Sequence, residues 1–371
     1  MKLYQEKDMV RVAKRENNTK RKYLVINALQ GKHIPVSATE TFEMFDTLAE
    51  ELIHVYSGKK VLVVGFAETA TAIGARIAVK MDSLYMQTTR ENIKNVEYLY
   101  FTESHSHATE QKLIKTDLDK IIDEVEYIIF AEDEVTTGNT IMKIIRIIQQ
   151  TYEKEVKFAV ASLLNGMDEE AEKNYEENGI RRHYLVKTNH SSYTKIADSY
   201  QGDGEYITDI ENVTIQKIRR FTAKDYLDSR RLVQGGIYDE KCESLWKQIE
   251  SQIEYSAGER ILVLGTEEFM YPAIYTAYRF CQSGCQARTH STTRSPIVVS
   301  SEAEYPLHCR YELRSLYDDQ RRTFIYDIDC YDKVIIITDS KNTSENGLND
   351  LCKAVVLNGN SNIQVVRWCK E

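Results

Sequence analysis

A run of thirteen residues, Ile128–Thr140, combines the residue types that bind a sugar phosphate. An apolar stretch that predicts a buried strand leads into two adjacent carboxylates, which can accept hydrogen bonds from two neighbouring ribose hydroxyls. The hydroxyl-rich loop behind them can turn its backbone N–H groups toward a phosphate, and a following helix adds the positive end of its dipole. We therefore predict a sugar-phosphate site formed by Glu132, Asp133, Thr136, Thr137, Gly138, Asn139 and Thr140.

The residues after this loop predict an amphipathic helix, because four isoleucines recur at helical spacing: Ile141, Ile144, Ile145 and Ile148. Such a helix would pack on a sheet and direct its N-terminus at the loop. An ordinary strand–turn–helix with an acidic cap is the alternative, since Thr and Asp often begin helices. A cap, however, needs one such residue and not six in register.

The thirteen residues resemble the phosphoribosyl-diphosphate (PRPP) signature of type I phosphoribosyltransferases. That signature has four apolar residues, two acids, two further residues and Thr-Thr-Gly-x-Thr. The departures are mild: Glu132 stands where Asp is commoner, Glu134 replaces an apolar residue, and Asn139 replaces a small one. The resemblance implies PRPP as the ligand and Mg²⁺ as a cofactor bound through it.

The first half of the chain alternates between strand and helix patterns. Apolar stretches predict strands at Val61–Val64, Leu84–Gln87, Tyr98–Phe101, Ile128–Ala131 and Phe158–Leu163. This alternation predicts an α/β fold with a mainly parallel sheet, as the resemblance to type I phosphoribosyltransferases also implies. Because ligands bind beyond the carboxyl ends of such strands, we expect the polar residues at these ends to form one site.

The segment after the first of these strands begins a helix whose N-terminal amides could hold a pyrophosphate. In phosphoribosyltransferases the pyrophosphate loop lies here, which assigns it to Phe66, Ala67, Glu68, Thr69 and Ala70. Glu68 could also hold a magnesium-bound water. An ordinary strand-to-helix turn with small residues for tight packing is the alternative.

The polar run Glu103–Thr109 follows a predicted strand and contains His105 and His107. Type I enzymes use a mobile hood in this part of the chain to cover PRPP. Histidine can donate a proton to a leaving pyrophosphate near neutral pH. The resemblance therefore suggests catalytic roles for His105, His107, Arg90 and Glu103. A plain polar loop, or a metal site with a third ligand elsewhere, are the alternatives.

Three further segments, Gly31–Pro35, Gly65–Ala70 and Glu103–Thr109, occur together with the PRPP motif. The combination resembles the orotate-phosphoribosyltransferase-like family encoded in bacterial tellurite-resistance and stress gene clusters. Its C-terminal TRSP domain is named after a tetrapeptide that stands here at Thr293–Pro296. The resemblance implies PRPP-dependent phosphoribosyl transfer to, or removal from, a base-like acceptor in the metabolism of a nucleotide-like compound.

The second half of the chain echoes the first at an offset of 200 residues, where Ile261–Gly265 matches Val61–Gly65. The second copy keeps one acid, Asp339, and lacks the Thr-Thr-Gly-x-Thr loop. We therefore expect a phosphoribosyltransferase domain at 1–220 and a TRSP domain at 221–371 that is a degenerate copy. General similarity between α/β domains is the alternative.

Basic residues outside the PRPP motif are candidates for binding an anionic acceptor, because arginine suits carboxylates and phosphates. Six arginines cluster along the second half: Arg288, Arg294, Arg310, Arg314, Arg321 and Arg322. The acceptor candidates are Lys32, His33, Thr293, Arg294 and Ser295. A plain surface turn at 31–33 and a solvated charged face are the alternatives.

Composition narrows the function classes. A net charge of −9 disfavours nucleic-acid binding, and no apolar run or leader suggests a membrane or secretion, so we expect a cytoplasmic protein. The seven cysteines, all at or beyond Cys242, read as reduced thiols. The oligomeric state stays open, with a homodimer as one option. A non-catalytic module that senses PRPP or a nucleotide is the alternative to an enzyme.

Overall fold

The computed structural model describes residues 2–16, 21–101, 111–215 and 218–370. The strands are β1 (Val10–Lys14), β2 (Tyr23–Asn27), β3 (Val36–Ser37), β4 (Val61–Gly65), β5 (Leu84–Gln87), β6 (Tyr98–Phe101), β7 (Gln111–Ile114), β8 (Tyr127–Val135), β9 (Lys157–Asn165), β10 (Arg181–Lys187), β11 (Glu205–Ile207), β12 (Ile218–Ala223), β13 (Val233–Gln234), β14 (Arg260–Gly265), β15 (Gln286–Ser291), β16 (Cys309–Arg314), β17 (Arg322–Tyr326), β18 (Lys333–Thr338) and β19 (Ile363–Trp368). The helices are α1 (Glu6–Met9), α2 (Ala38–Tyr56), α3 (Thr71–Met81), α4 (Lys115–Leu118), α5 (Asn139–Thr151), α6 (Glu169–Glu177), α7 (Tyr193–Ser199), α8 (Gly235–Gln252), α9 (Tyr271–Gln282) and α10 (Asn346–Leu357), with a 3₁₀ turn at His190–Ser192.

The chain forms two compact units that differ from the contiguous domains expected at 1–220 and 221–371 by an exchange of three segments: 5–42 and 189–220 lie in unit 2, and 227–241 lies in unit 1. Unit 1 comprises Met1–Tyr4, Glu43–Thr188 and Leu227–Lys241, and unit 2 comprises Gln5–Phe42, Asn189–Tyr226 and Cys242–Glu371. Strand pairing explains the exchange. The early strand β3 pairs with β15 of unit 2, whereas the late strand β13 pairs with β5 of unit 1.

Unit 1 is built on a six-stranded sheet in the order β10-β9-β8-β4-β5-β13. Its first five strands are parallel and β13 is antiparallel. The four central-strand residues Val61–Val64 are buried, as are the four isoleucines of α5 that were expected to face the sheet, Ile141, Ile144, Ile145 and Ile148, which confirms the predicted α/β fold. Two predictions need adjustment: β6 pairs with β7 in a separate hairpin, and β8 continues past the acids to Val135.

Unit 2 contains a sheet of the same kind in the order β12-β19-β18-β14-β15-β3. Five strands are again parallel and the edge strand β3 is antiparallel. One connection differs, because β12 precedes the other parallel strands of its sheet in the chain whereas β10 follows β9. The matching order favours the proposed duplication, which stays a prediction.

Two further expectations concern the chain as a whole. None of the seven cysteines, all of which lie within the described residues, forms a disulfide bond. In the part of the chain that the structure describes, no helix is long and apolar enough to cross a membrane.

The exchanged segment 227–241 is fixed to unit 1 by Asp117, which is 1% exposed. The Asp117 carboxylate accepts a bond from Arg231 Nη2 at 2.8 Å and one from the backbone N–H of Leu232 at 3.2 Å. Burial alone would raise the pKa of Asp117, but the bonds from Arg231, Lys120 and Leu232 outweigh it and hold the pKa at about 2.

We predict that Asp117→Asn lowers the free energy of unfolding at pH 7 by about 2–3 kcal/mol, because the carboxylate is stabilised only in the folded state. Because the pKa of Asp117 is lowered on folding, its carboxylate stabilises the fold at pH values above the unfolded-state pKa, near 3.9. This contribution is lost as the pH falls toward 2. Urea unfolding at pH 7 and pH 3 should therefore show the difference shrinking in acid. The exposed Asp123→Asn is the control, and equal stabilities of the two variants at pH 7 would contradict the assignment.

Candidate active site

The acid pair occupies the end of β8 at the centre of the unit 1 sheet. Neighbouring strands on both sides hold β8 in parallel register, with Val64 opposite Phe130 and Ser162 opposite Glu132. Glu132 and Asp133 are half-buried at the carboxyl end of the sheet. Because successive strand residues point to opposite faces, the two carboxylates diverge around the strand end.

Burial, and to a lesser extent repulsion from a neighbouring carboxylate, raise the pKa of both carboxyl groups. The pKa of Glu132 lies well above its ordinary value, because of burial and then the charge of Asp133, while Arg90 acts in the opposite direction. The pKa of Asp133 is raised by burial and by Glu134, and a bond from the Thr69 hydroxyl opposes the shift. The site therefore favours a partner that brings hydroxyl donors or positive charge to these carboxylates.

The hydroxyl-rich loop is tight, since α5 already begins at Asn139. Gly138 has φ 65°, a left-handed conformation that favours glycine. A Cβ at this position would collide with the ring of Tyr175, whose hydroxyl donates to the Gly138 carbonyl at 2.7 Å. Tyr175 lies on α6 and is fully buried. It positions the loop from behind, and no sequence signal in the motif pointed to it.

The loop after β4 has its backbone fixed by neighbouring strands. The Phe66 N–H donates to the Ala131 carbonyl at 3.0 Å, and the Ala67 N–H donates to Thr88 Oγ1 at 2.8 Å. A Cβ on Gly74 would lie 2.7 Å from the Gly65 Cα, so α3 can approach the strand only with glycine there. The predicted pyrophosphate loop and the acid pair thus meet through the bond between Thr69 and Asp133.

Sequence reasoning missed the contribution of the exchanged segment. Ser229 Oγ donates to Gln87 Oε1 at 3.0 Å, and the Gln87 N–H donates to the Ser229 carbonyl at 3.1 Å. Ser229 therefore lies at the carboxyl end of β5, beside Thr88. The two-residue strand Val233–Gln234 that brings it there is too short for a periodic signal.

The predicted catalytic residues divide into two groups. Arg90 is half-buried in unit 1 and is close enough to Glu132 to influence its pKa. Glu103, His105 and His107 lie outside the described residues, so their roles stay predictions.

The acceptor candidates of the early and late segments come together in unit 2. Lys32 is fully buried, and its Nζ donates to the carbonyl oxygens of Glu267 and Thr292 at 2.6 and 2.9 Å. Arg294 Nε donates to Glu267 Oε2 at 2.6 Å. His33 and Thr293 are also buried in this unit. Contact of these residues with an acceptor stays a prediction.

The six arginines do not form the single cluster that the sequence suggested. Four of them bind separate partners: Arg288 donates to the Pro35 carbonyl, Arg310 pairs with Glu16, Arg314 pairs with Asp350, and Arg322 pairs with Glu312. Only Arg294 and Arg321 converge, on the carboxylate of Glu267. The direction of each arginine side chain depends on the strand or loop that carries it. The spacing of the arginines in the sequence therefore did not predict which of them converge.

These features define an α/β unit with an acid pair and a hydroxyl-rich loop at the carboxyl edge of a parallel sheet. A family model described as "Phosphoribosyl transferase" matches residues 9–194, half of the chain, and one described as "TRSP domain C terminus to PRTase_2" matches residues 236–355. The chain belongs to this phosphoribosyl transferase family and carries its C-terminal TRSP domain.

Solved structures with similarity to the chain include adenine phosphoribosyltransferases. The enzyme from Rhodothermus marinus is 15% identical, with 49% of this chain and 96% of that chain covered and a TM-score of 0.36. The enzyme from Trypanosoma brucei, solved with AMP, pyrophosphate and ribose-5-phosphate, is 12% identical, with 48% and 76% covered and a TM-score of 0.33. A hypoxanthine phosphoribosyltransferase from Staphylococcus aureus is 16% identical, with 44% and 79% covered and a TM-score of 0.27. No curated protein matches the sequence.

We predict that Glu132→Gln and Asp133→Asn each stabilise the ligand-free protein at neutral pH. Because the pKa of each carboxyl group is higher in the folded than in the unfolded protein, the protonated group stabilises the fold at pH values below the unfolded-state pKa, near 4. This stability is lost as the pH rises through the folded-state pKa. An uncharged side chain avoids this loss, which amounts to about 1.4 kcal/mol for each tenfold change in the acid dissociation constant. Thermal unfolding from pH 4 to pH 8 should show a gain that grows with pH. The exposed Glu176→Gln should show no such gain, and a loss of stability in both site variants would refute the prediction.

Proposed function

We propose that the protein binds PRPP in unit 1 and transfers its phosphoribosyl group to a base-like acceptor, or catalyses the reverse removal. The observation that carries the proposal is the junction of the acid pair with two loops. Glu132 and Asp133 are bonded or adjacent to the loop at 66–70 on one side and to the loop at Thr136–Thr140 on the other. One extended ligand with a ribose between two phosphate groups suits this arrangement.

Each part of the site would act on a different part of PRPP. The acids accept hydrogen bonds from the ribose hydroxyls, and Thr136–Thr140 with the N-terminus of α5 holds the 5′-phosphate. In the loop at 66–70, the N–H groups of Phe66, Ala67 and Ala70 donate to acceptors within the protein. The backbone of Glu68 and Thr69 and the guanidinium of Arg90 therefore face the pyrophosphate, whose negative charge grows as the bond to the anomeric carbon breaks. Excluding water from this edge would protect the ribose cation that develops.

Magnesium fits this site through PRPP rather than through a protein cage. Within the described residues, no group of three or more His, Cys, Asp or Glu side chains is arranged to hold a metal. Mg²⁺ commonly binds through one or two carboxylates together with substrate phosphates and waters, and Glu68, in the pyrophosphate loop, supplies a carboxylate there. The positive charge of the Mg²⁺ ion would neutralise the leaving pyrophosphate. The cytoplasmic location and the link to tellurite resistance belong to the same proposal.

We predict that the Glu132→Gln, Asp133→Asn double variant loses at least about 100-fold in PRPP affinity, since charge-assisted bonds contribute about 1.5–3 kcal/mol each. Calorimetry with PRPP and Mg²⁺ measures this, with Glu176→Gln as the control. Unchanged affinity in a folded double variant would sink the assignment. PRPP binding without pyrophosphate release, across acceptors found by mass-spectrometric metabolite screening, would favour the sensing module.

Tyr175→Phe should weaken PRPP binding about fivefold, because the loop at Gly138 loses one hydrogen bond of about 1 kcal/mol. The partly exposed Tyr184→Phe, on β10, is the matched control. Calorimetry reports the affinity, and thermal unfolding separates it from a general loss of stability. A variant with reduced stability but wild-type PRPP affinity would show that Tyr175 supports the fold without positioning the loop.

A further inference from the structure

The turns that follow β4 and β14 share the same backbone hydrogen bonds. In unit 1, Ala67 N–H donates to Thr88 Oγ1 at 2.8 Å and Thr88 N–H donates to the Gly65 carbonyl at 3.0 Å. In unit 2, Glu267 N–H donates to Thr292 Oγ1 at 2.9 Å and Thr292 N–H donates to the Gly265 carbonyl at 3.3 Å. Glu267 therefore stands at the position of Ala67.

The arginines that follow these threonines correspond as well. Thr89 and Thr293 each form an isolated antiparallel bridge, to Lys112 and to Phe324 respectively. The next residue is Arg90 in unit 1 and Arg294 in unit 2. In the proposed function, Arg90 faces the pyrophosphate. Its counterpart Arg294 instead binds the carboxylate of Glu267, with Nε to Oε2 at 2.6 Å.

The Glu267 carboxylate is surrounded as a bound anion would be. Arg321 Nη2 lies 3.0 Å from Oε2, and the Ser315 hydroxyl donates to Oε1. Lys32 adds a third cation at the Glu267 backbone carbonyl. Glu267 itself is fully buried and has φ 50°, a left-handed conformation that glutamate rarely adopts. In this backbone conformation, the buried Glu267 carboxylate lies beside the guanidinium groups of Arg294 and Arg321.

The acid that the second copy retains also has internal partners. Strand register places Ile336 opposite Leu264 as it places Phe130 opposite Val64, so Asp339 corresponds to Asp133. Its two carboxylate oxygens accept hydroxyl bonds from Tyr317 at 2.7 Å and Tyr226 at 3.0 Å. Two hydroxyl donors on one acid are what a ribose diol would present.

We propose that unit 2 has kept the anion cradle of a phosphoribosyltransferase and fills it with its own side chains. The Glu267 carboxylate takes the place of pyrophosphate, and the hydroxyls of Tyr226 and Tyr317 take the place of ribose hydroxyls. The comparison with unit 1 rests on the proposed function. The cradle itself is a site for a pyrophosphate-like anion that becomes available when Glu267 is removed, because Arg294 and Arg321 then lose the buried carboxylate that they share.

Glu267→Gly tests the proposal in the full-length chain, since glycine accepts the left-handed conformation while removing the carboxylate. Calorimetry with inorganic pyrophosphate should show one more binding site per chain than the wild type. Adding Arg294→Ala should remove that extra site, and Glu304→Ala, at an exposed position, should behave as the wild type. A folded Glu267→Gly variant with no additional site, or an extra site that survives Arg294→Ala, overturns the proposal.

If Glu267→Gly accumulates unfolded, its refolding yield is compared in pyrophosphate and in sodium chloride of equal ionic strength. A yield that pyrophosphate raises in Glu267→Gly but not in the Glu267→Gly, Arg294→Ala double variant supports the proposal, and the same pyrophosphate effect on both variants, or none on either, rejects it. Pyrophosphate binding to the wild type is measured separately, and it reports on the proposed site in unit 1. Absence of pyrophosphate binding to the wild type would count against the proposed transferase site, whereas the extra site in the variant depends on unit 2 alone.

Discussion

The burial of two neighbouring carboxylates at the end of β8 is the constraint around which the candidate site is organised. Glu132 and Asp133 are placed side by side by the strand, and burial raises the pKa of each. The ligand-free protein can relieve this only in part, through Thr69 and Arg90. A ligand with two hydroxyls, accompanied by a cation, would satisfy the carboxylates, so strain in the free protein becomes specificity for the ligand.

The loops that we propose as anion sites have the opposite requirement. An arginine lies beside each of them, and its positive charge favours a negatively charged partner. In unit 1 the proposed ligand supplies that charge. In unit 2 the carboxylate of Glu267 lies within hydrogen-bonding distance of Arg294 and Arg321. In this proposal, a single side-chain difference, Ala67 against Glu267, distinguishes a loop that binds a ligand from a loop whose arginines bind a carboxylate of the protein.

The exchange of segments has a simple physical basis. A two-residue edge strand, β3 or β13, closes each sheet next to β15 or β5. The residues before each short strand then reach the carboxyl ends of the parallel strands, as Lys32 does in unit 2 and Ser229 does in unit 1. Segments far from the main motifs in sequence thereby become part of the polar edge of each sheet.

The sequence alone determined the parallel α/β architecture, the acid pair and the hydroxyl loop, because these depend on local periodicity and on residues adjacent in the chain. Ile141 and Ile148 were correctly expected in the core for the same reason. Only the tertiary structure decided which segment completes which sheet, that Tyr175 supports the loop at Gly138, and that Arg294 and Arg321 share Glu267 while Arg310 and Arg314 do not. These contacts join residues dozens to hundreds of positions apart, where hydrogen bonding and burial choose the partners and the spacing in sequence carries no record of the choice.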